Sequence, residues 1–224
     1  MTSQGKLVIL AGGISSRMKR STSKEILPDE ALARDADEKA KAMIGVGGNH
    51  RPFLDYLLYN AKQAGYGDIL IVIGERDESI RTYYGKMDRD NEFFGLRISY
   101  AIQKIPPGRQ KPLGTADALY HGLSSIPEWK ATCFTVCNSD NLYSVKALRL
   151  MLETKYDNAM VDYDHRSLVL PQFGSSRIEK FAVTFKDMEG FITKIVEKPL
   201  KKDIEVARGQ DGFIGVSMNI FGLN

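Results

Sequence analysis

The sequence predicts an α/β fold built on a mostly parallel, mixed sheet covered by helices on both faces, with a small antiparallel extension. Three observations predict it. Over the first two-thirds of the chain, short continuous apolar runs alternate with amphipathic segments, the pattern of strands buried on both faces and joined by crossover helices. The last third changes character, with two apolar runs flanking a turn. The 224 residues, 43% hydrophobic and 26% charged, have globular values and suffice to bury a core without a disulfide or structural metal.

Residues 6–10 form the first strand, which ends in Ala11-Gly12-Gly13. Residues 52–64 set Leu54, Leu57, Leu58 and Ala61 at helical spacing, with Pro52 at the first turn and Gly65 as the stop. Residues 69–73 are a buried strand closed by Gly74, and a short helix carries Ile80, Tyr83 and Tyr84. Ile98, Tyr100 and Ile102 alternate as a strand. Residues 115–123 are helical, with Ala116, Leu119, Tyr120 and Leu123 on one face. A strand holding Cys133 and Cys137 follows, then a helix with Val145, Leu148 and Leu152, and a strand over 159–163. Residues 181–186 and 191–197 flank Asp187-Met188-Glu189-Gly190 as a hairpin, and 213–221 is one more apolar run. Residues 19–40, dense in charge and small residues, read as a mobile insertion loop.

Charge and composition exclude several function classes. With 31 basic against 28 acidic residues the net charge is only +3, so nucleic acid is not the expected partner. The apolar run over 7–11 is far shorter than the roughly 20 residues of a membrane span, and too short for a signal-peptide core. A soluble, cytoplasmic chain with no membrane association is expected. Cys133 and Cys137 would lie on one strand face about 13 Å apart. That is beyond the roughly 7 Å at which a disulfide closes, so both are expected as buried thiols. His50, His121 and His165 lack metal-ligand spacing.

In an open α/β sheet, ligands bind beyond the carboxyl ends of the strands. Four such positions carry polar or glycine-rich text. LAGGISSRMK over 10–19 lets the backbone approach a ligand closely and adds the charges of Arg17 and Lys19; it is neither a Walker loop nor GxGxxG. Gln103 is followed by Leu113-Gly114-Thr115-Ala116 at a helix start, where Thr115 could equally serve as a cap. Asn138-Ser139-Asp140-Asn141 leaves a buried strand, and Asp140 suits a hard cation that takes one or two carboxylates plus phosphate oxygens. Val196-Glu197-Lys198-Pro199 sets a carboxylate beside an ammonium.

In this order and spacing the four positions resemble the sugar-phosphate nucleotidyltransferases, the NDP-sugar pyrophosphorylases. The matching text is LAGGISSRM, KAMIGVGGNHRPFLDYLLYNAKQAG, IQ with PLGTADAL, VCNSDN and IVEKP, which extends over essentially the whole chain. The resemblance implies a Rossmann-like three-layer sandwich, the nucleotide-diphospho-sugar transferase fold, in a single catalytic domain over 1–224, with 164–224 as a truncated acceptor-side portion. It implies that Leu10, Ala11, Gly12 and Gly13 cradle the nucleotide and Gln103, Gly114 and Thr115 read its base. Arg17 would hold the departing phosphates, Lys41 would lie near the α-phosphate, and Asp140 would ligate Mg²⁺. Glu197, Lys198 and Asn219 would meet the sugar and its phosphate, with Arg17, Lys41, Asp140 and Lys198 as the catalytic set. The partners implied are a nucleoside triphosphate and a sugar 1-phosphate, and a homo-oligomer is allowed.

Two other readings stand beside it: a cytidylyltransferase for a non-sugar phosphate such as choline phosphate, and an inactive pyrophosphorylase-like regulatory module. Ser15-Ser16-Arg17 replaces the family's Gly-Thr-Arg, the 23 residues between Arg17 and Lys41 exceed the usual length, and Ala182 stands where many relatives carry glycine. Four helices over seven or more strands, and an end at Asn224, imply either a truncated form with an incomplete metal site or a minimal variant completed by a partner subunit.

Overall fold

The computed structural model describes residues 4–13, 40–75, 77–168, 178–209 and 211–224. The chain divides into two compact units, residues 1–159 with 221–224, and residues 160–220.

In the first unit the strands are β1 (Gly5–Leu10), β4 (Tyr66–Gly74), β5 (Asn91–Phe93), β6 (Leu96–Gln103) and β7 (Phe134–Asn138), in the order β5-β6-β4-β1-β7. All pairs are parallel except the antiparallel edge strand β5. The register sets Leu10 against both Val72 and Asn138, and Gly74 against Gln103. The residues that follow β1, β6 and β7 therefore emerge at one edge. The chain order also reverses at β1, which has β4 on one side and β7 on the other, so the topological switch point of this sheet lies at the end of β1. A short antiparallel pair, β2 (Gly45–Val46) with β3 (Arg51–Pro52), precedes the first helix.

The helices are α1 (Phe53–Ala64), α2 (Ser79–Tyr84), α3 (Thr115–Ser125) and α4 (Val145–Glu153). α1 begins after Pro52 and stops at Gly65, whose φ of 110° only glycine adopts freely, and whose N–H donates to the carbonyls of Ala61 and Lys62. Ser144 caps α4, its hydroxyl accepting from the Ala147 N–H at 3.1 Å. α3 covers one sheet face, where Ala118 joins Val8, Leu70, Val72, Ala101 and Val136 in a buried cluster. Thr135, one residue from Val136, turns to the opposite face. Its hydroxyl lies 2.6 Å from that of Tyr66, which donates to the Leu148 carbonyl of α4. Helices on both faces of a mostly parallel sheet are what the alternation of the sequence predicts.

Three details correct the sequence reading. α3 buries Ala118 and Gly122 most deeply; of the expected face, Leu119 and Leu123 pack partly buried against the same cluster, whereas Ala116 is exposed and Tyr120 is 69% exposed. The reason is close packing: a Cβ on Gly122 would stand 3.0 Å from Val72 Cγ2, so two small residues let the helix lie directly on the sheet. Ile102 is exposed while its neighbour Gln103 is buried, because β6 ends at the ligand edge of the sheet. Cys133 precedes β7 and is exposed, so only Cys137 is a buried thiol.

The second unit holds α5 (His165–Leu168), β9 (Ala182–Lys186), β10 (Ile192–Val196), α6 (Lys201–Val206) and most of β8 (Ala159–Asp164) and β11 (Gly215–Leu223). β9 and β10 form the expected hairpin, with Val196 opposite Val183. Its turn is closed by Asp187, whose carboxylate accepts the N–H groups of Glu189 and Phe191 at 3.0 and 2.8 Å. β11 pairs antiparallel with β9 and also with β8. Val183, Ile204, Ile214 and Val216 are the core, with Tyr163, Phe181 and Phe185 against it. α6 is a helix the sequence reading did not find; its first turn is tied by Asp203, which accepts the Leu200 N–H at 2.9 Å. No described helix is long and apolar enough to cross a membrane.

Candidate active site

A cavity of about 220 Å³ opens at the carboxyl edge of the first unit's sheet. Its lining includes Leu10, Ala11, Gly12, Gly13, Lys41, Gln103, Gly114, Thr115 and Asp140, nine of the positions singled out from sequence. Arg17 lies outside the described residues. Glu197, Lys198 and Asn219 belong to the second unit.

The turn after β1 is pinned to both neighbouring strands. Ala11 N–H donates to the Val72 carbonyl at 2.7 Å, and Ser139 N–H donates to that of Leu10 at 3.1 Å. Gly12 passes so close to β6 that a Cβ there would stand 2.8 Å from Gln103 Oε1, whereas a Cβ on Gly13 would meet nothing within 4 Å. One glycine is thus required by packing, and the other leaves bare backbone facing the cavity.

Lys41 is placed by a single 3₁₀ turn, Lys41–Met43, whose other two residues, Ala42 and Met43, are buried, which leaves the lysine to point out. Its Nζ lies 3.1 Å from Asp140 Oδ2, and both side chains are 42% exposed. Exposed ion pairs contribute about 0–1 kcal/mol, so this one holds opposite charges at the cavity without locking them together. Asp140 sits in a turn braced by buried Tyr143. The Tyr143 hydroxyl accepts from Asn138 N–H at 3.3 Å and Asn141 Nδ2 at 3.2 Å, and its carbonyl accepts from Asn60 Nδ2 at 2.9 Å.

Gly114 is the N-cap of α3, with φ of 122°, a conformation that side chains rarely adopt. Thr115 is therefore the first helical residue, and no side chain caps the helix, so the capping role considered for Thr115 is not the one it takes. Gln103 is 3% exposed, and its Nε2 donates to the Gly114 carbonyl at 2.9 Å and to Asp117 Oδ2 at 2.7 Å. Sequence reasoning missed Ala42, Pro112 and Ala118 of the lining, together with Asp117 and Tyr143 behind it; Asn138 and Ser139 lie in a stretch it singled out but were given no role. The signal for Tyr143 is slight: one aromatic in an otherwise polar turn.

Among the described residues that line the cavity there is no cysteine or histidine. Burial pushes the Cys137 thiol well above its ordinary range, so it stays protonated and is no nucleophile. Among the described residues no three His, Cys, Asp or Glu side chains cluster as a metal cage. A single carboxylate at Asp140 instead matches a hard cation that draws most of its oxygens from phosphate and water.

In the second unit, Glu197 and Lys198 follow β10 and are exposed, while Pro199 is buried. Five described non-glycine residues have positive φ, and two of them are Lys198 (52°) and Asn219 (57°). Left-handed backbone at a lysine is uncommon and collects at ligand sites. The Asn219 N–H donates to Ser217 Oγ at 3.2 Å.

The chain belongs to the nucleotidyl transferase family, whose family model matches residues 36–213. The resemblance to sugar-phosphate nucleotidyltransferases is borne out by the relatives. The chain is 24% identical over 221 residues to glucose-1-phosphate adenylyltransferase 2 of Vibrio cholerae serotype O1, covering 97% of this chain and 49% of that protein. It is 27% identical over 146 residues to the D-glycero-alpha-D-manno-heptose 1-phosphate guanylyltransferase of Aneurinibacillus thermoaerophilus, covering 65% and 50%. It thus spans about half the length of the curated relatives it matches. Among solved structures, a UDP-glucose pyrophosphorylase complexed with UDP-glucose superposes with a TM-score of 0.64 at 20% identity, covering 99% of this chain and 76% of that one. That likeness shares the fold.

Proposed function

We propose that this protein joins a nucleoside triphosphate to a sugar 1-phosphate, releasing pyrophosphate and giving a nucleotide-sugar, with Mg²⁺ as cofactor. The observation that carries this reading is the Lys41–Asp140 pair on the cavity that opens past the Ala11-Gly12-Gly13 turn, at the switch point of the sheet.

A phosphate oxygen of the sugar 1-phosphate attacks the α-phosphorus in line, a new P–O bond forms, and the bond to the β-phosphate oxygen breaks. Both reactants are anionic, so the protein's task is to hold them and offset their charge rather than to form a covalent intermediate. Gly12 and Gly13 bring bare backbone to the nucleotide, and Gln103 with Gly114 and Thr115 faces its base. Lys41 leaves Asp140 for the α-phosphate, and Arg17 takes the departing phosphates. Glu197, Lys198 and Asn219 bind the sugar phosphate. When bound, Mg²⁺ held by Asp140 supplies charge neutralisation and orientation of phosphate oxygens.

Pyrophosphate release is measured across the common nucleoside triphosphates and a panel of sugar 1-phosphates with Mg²⁺ present. At least one pair is expected to react, and Asp140→Ala to slow that pair by on the order of 100-fold. A panel without any active pair overturns the reading; near wild-type turnover in Asp140→Ala at saturating Mg²⁺ overturns the metal assignment.

A further inference from the structure

Gln103 offers the cavity only half of its carboxamide. The side chain is almost fully buried, and its Nε2 is committed twice, to the Gly114 carbonyl at 2.9 Å and to Asp117 Oδ2 at 2.7 Å. A carboxamide nitrogen carries two hydrogens, so no donor remains for a ligand. Its oxygen is turned to the other side, against Gly12, where an added Cβ would come within 2.8 Å of it. The reversed orientation would set three acceptor oxygens against one another, the Gln103 carbonyl facing the Gly114 carbonyl and the Asp117 carboxylate.

Of the two partners, the Asp117 carboxylate is the stronger, because a hydrogen bond to an ionised acceptor is roughly twice as strong as a neutral one. Asp117 is placed by α3. It lies in the first turn of α3, and its other oxygen is 3.7 Å from His121 Nε2 one turn further on. Asp117 does not line the cavity, and its contact with the lining is the hydrogen bond from Gln103.

We propose that Asp117 is a positioning residue for base selection: it fixes the Gln103 carboxamide so that the cavity presents an acceptor oxygen alone, and the accepted base is one that brings an N–H to that point. The proposal rests on the reading that the cavity takes a nucleoside triphosphate, and it adds a specificity determinant outside the cavity wall. In the absence of Asp117 one Gln103 hydrogen is unpaired. The amide then turns between donor and acceptor orientations, and bases that were rejected for presenting an acceptor gain a partner.

The test measures dissociation constants of the full chain for ATP, GTP, CTP, UTP and dTTP, alongside Tm, for the wild type, Asp117→Ala and Asp117→Asn. Asparagine keeps an acceptor oxygen where the carboxylate stood, so it is the conservative rescue. The wild type is expected to prefer one base. Asp117→Ala should reduce its preference over the next base by about tenfold, the scale of one charge-assisted hydrogen bond. Asp117→Asn should retain the preference to within about threefold. A folded Asp117→Ala that keeps the wild-type ranking and ratio overturns the proposal while leaving the nucleotide reading intact. Equal loss of preference in both variants also overturns it, because the carboxylate would then act by charge and not by orienting the amide. A wild type that binds none of the five overturns both readings.

Discussion

The charge on Lys41 is answered by a single carboxylate oxygen at 3.1 Å, in a pair open enough to water that it adds little to stability. Such a pair is separable, which the proposed function requires of a lysine that is to meet a phosphate. Tyr100 shows the opposite economy. Its ring is buried beneath the Arg81 guanidinium, 5.3 Å from the centroid, and its hydroxyl finds no hydrogen-bond partner among the described residues. Burial is the main reason that hydroxyl is pushed up to about 12, with Arg81 opposing. A tyrosine that ionises later in the folded state than in the unfolded chain contributes stability intact below its ordinary value of 10.0 and lost as pH rises toward about 12. Tyr100→Phe is expected to leave stability unchanged or raise it by up to about 1 kcal/mol, because it removes an unpaired buried hydroxyl. Its stability profile should also be flatter between pH 10 and about 12. Tyr66 and Tyr84, pushed further up by burial, retain part of the alkaline slope. Thermal melts across that window check both, and a Tm drop of more than about 5 °C in Tyr100→Phe would show that the hydroxyl is paired.

Among the elements, α3 carries the most instruction, because it both covers the sheet and presents Gly114 and Thr115 to the cavity. Its existence was legible from periodicity, but its buried face only in part. Hydrophobic patterning finds Leu119 and Leu123, which pack partly buried against the core, but also weights exposed Tyr120 and passes over Ala118 and Gly122, small residues that seat the helix because they are small. The same blindness hides α6 and the three-residue strand β5, both too short for a periodic signal. Buried strands were easier: β1 and β4 are apolar on both faces, so continuous runs betray them. Gly122→Val tests the seating. Its γ carbons would enter the space of Val72 and Leu70, both fully buried, and overpacking of this kind costs about 1–3 kcal/mol, more than the few tenths gained in helix propensity. A Tm loss of about 3–10 °C is expected. Gly13→Ala, with open space around its Cβ, should melt as the wild type does. If Gly122→Val melts with it, α3 is free to lift and the packing argument fails.

Across the molecule, the candidate site was legible where it follows from topology. Strand ends are visible as apolar runs that break into glycine or polar text, and a parallel sheet brings those ends to one edge. That is why residues as far apart as Gly12, Gln103 and Asp140 can be grouped from sequence alone. What holds them was not legible, since Asp117 and Tyr143 act through hydrogen bonds that no spacing reveals. The division into two units adds a consequence for function. The cavity lining is drawn wholly from the first unit, whereas Glu197, Lys198 and Asn219 belong to the second, with its own core around Val183, Ile214 and Val216. If the second unit serves the sugar phosphate and the first the nucleotide, damage to each should appear in a different constant. Lys198→Ala removes a cation from a left-handed position that alanine also adopts with difficulty, so Lys198→Gln is the cleaner variant. It is expected to raise the KM for the sugar 1-phosphate by about tenfold, the scale of one lost contact to a charged group, with the nucleotide dissociation constant unchanged. Equal weakening of both substrates would mean that Lys198 acts on the nucleotide phosphates instead, and the division of labour between the units would fall.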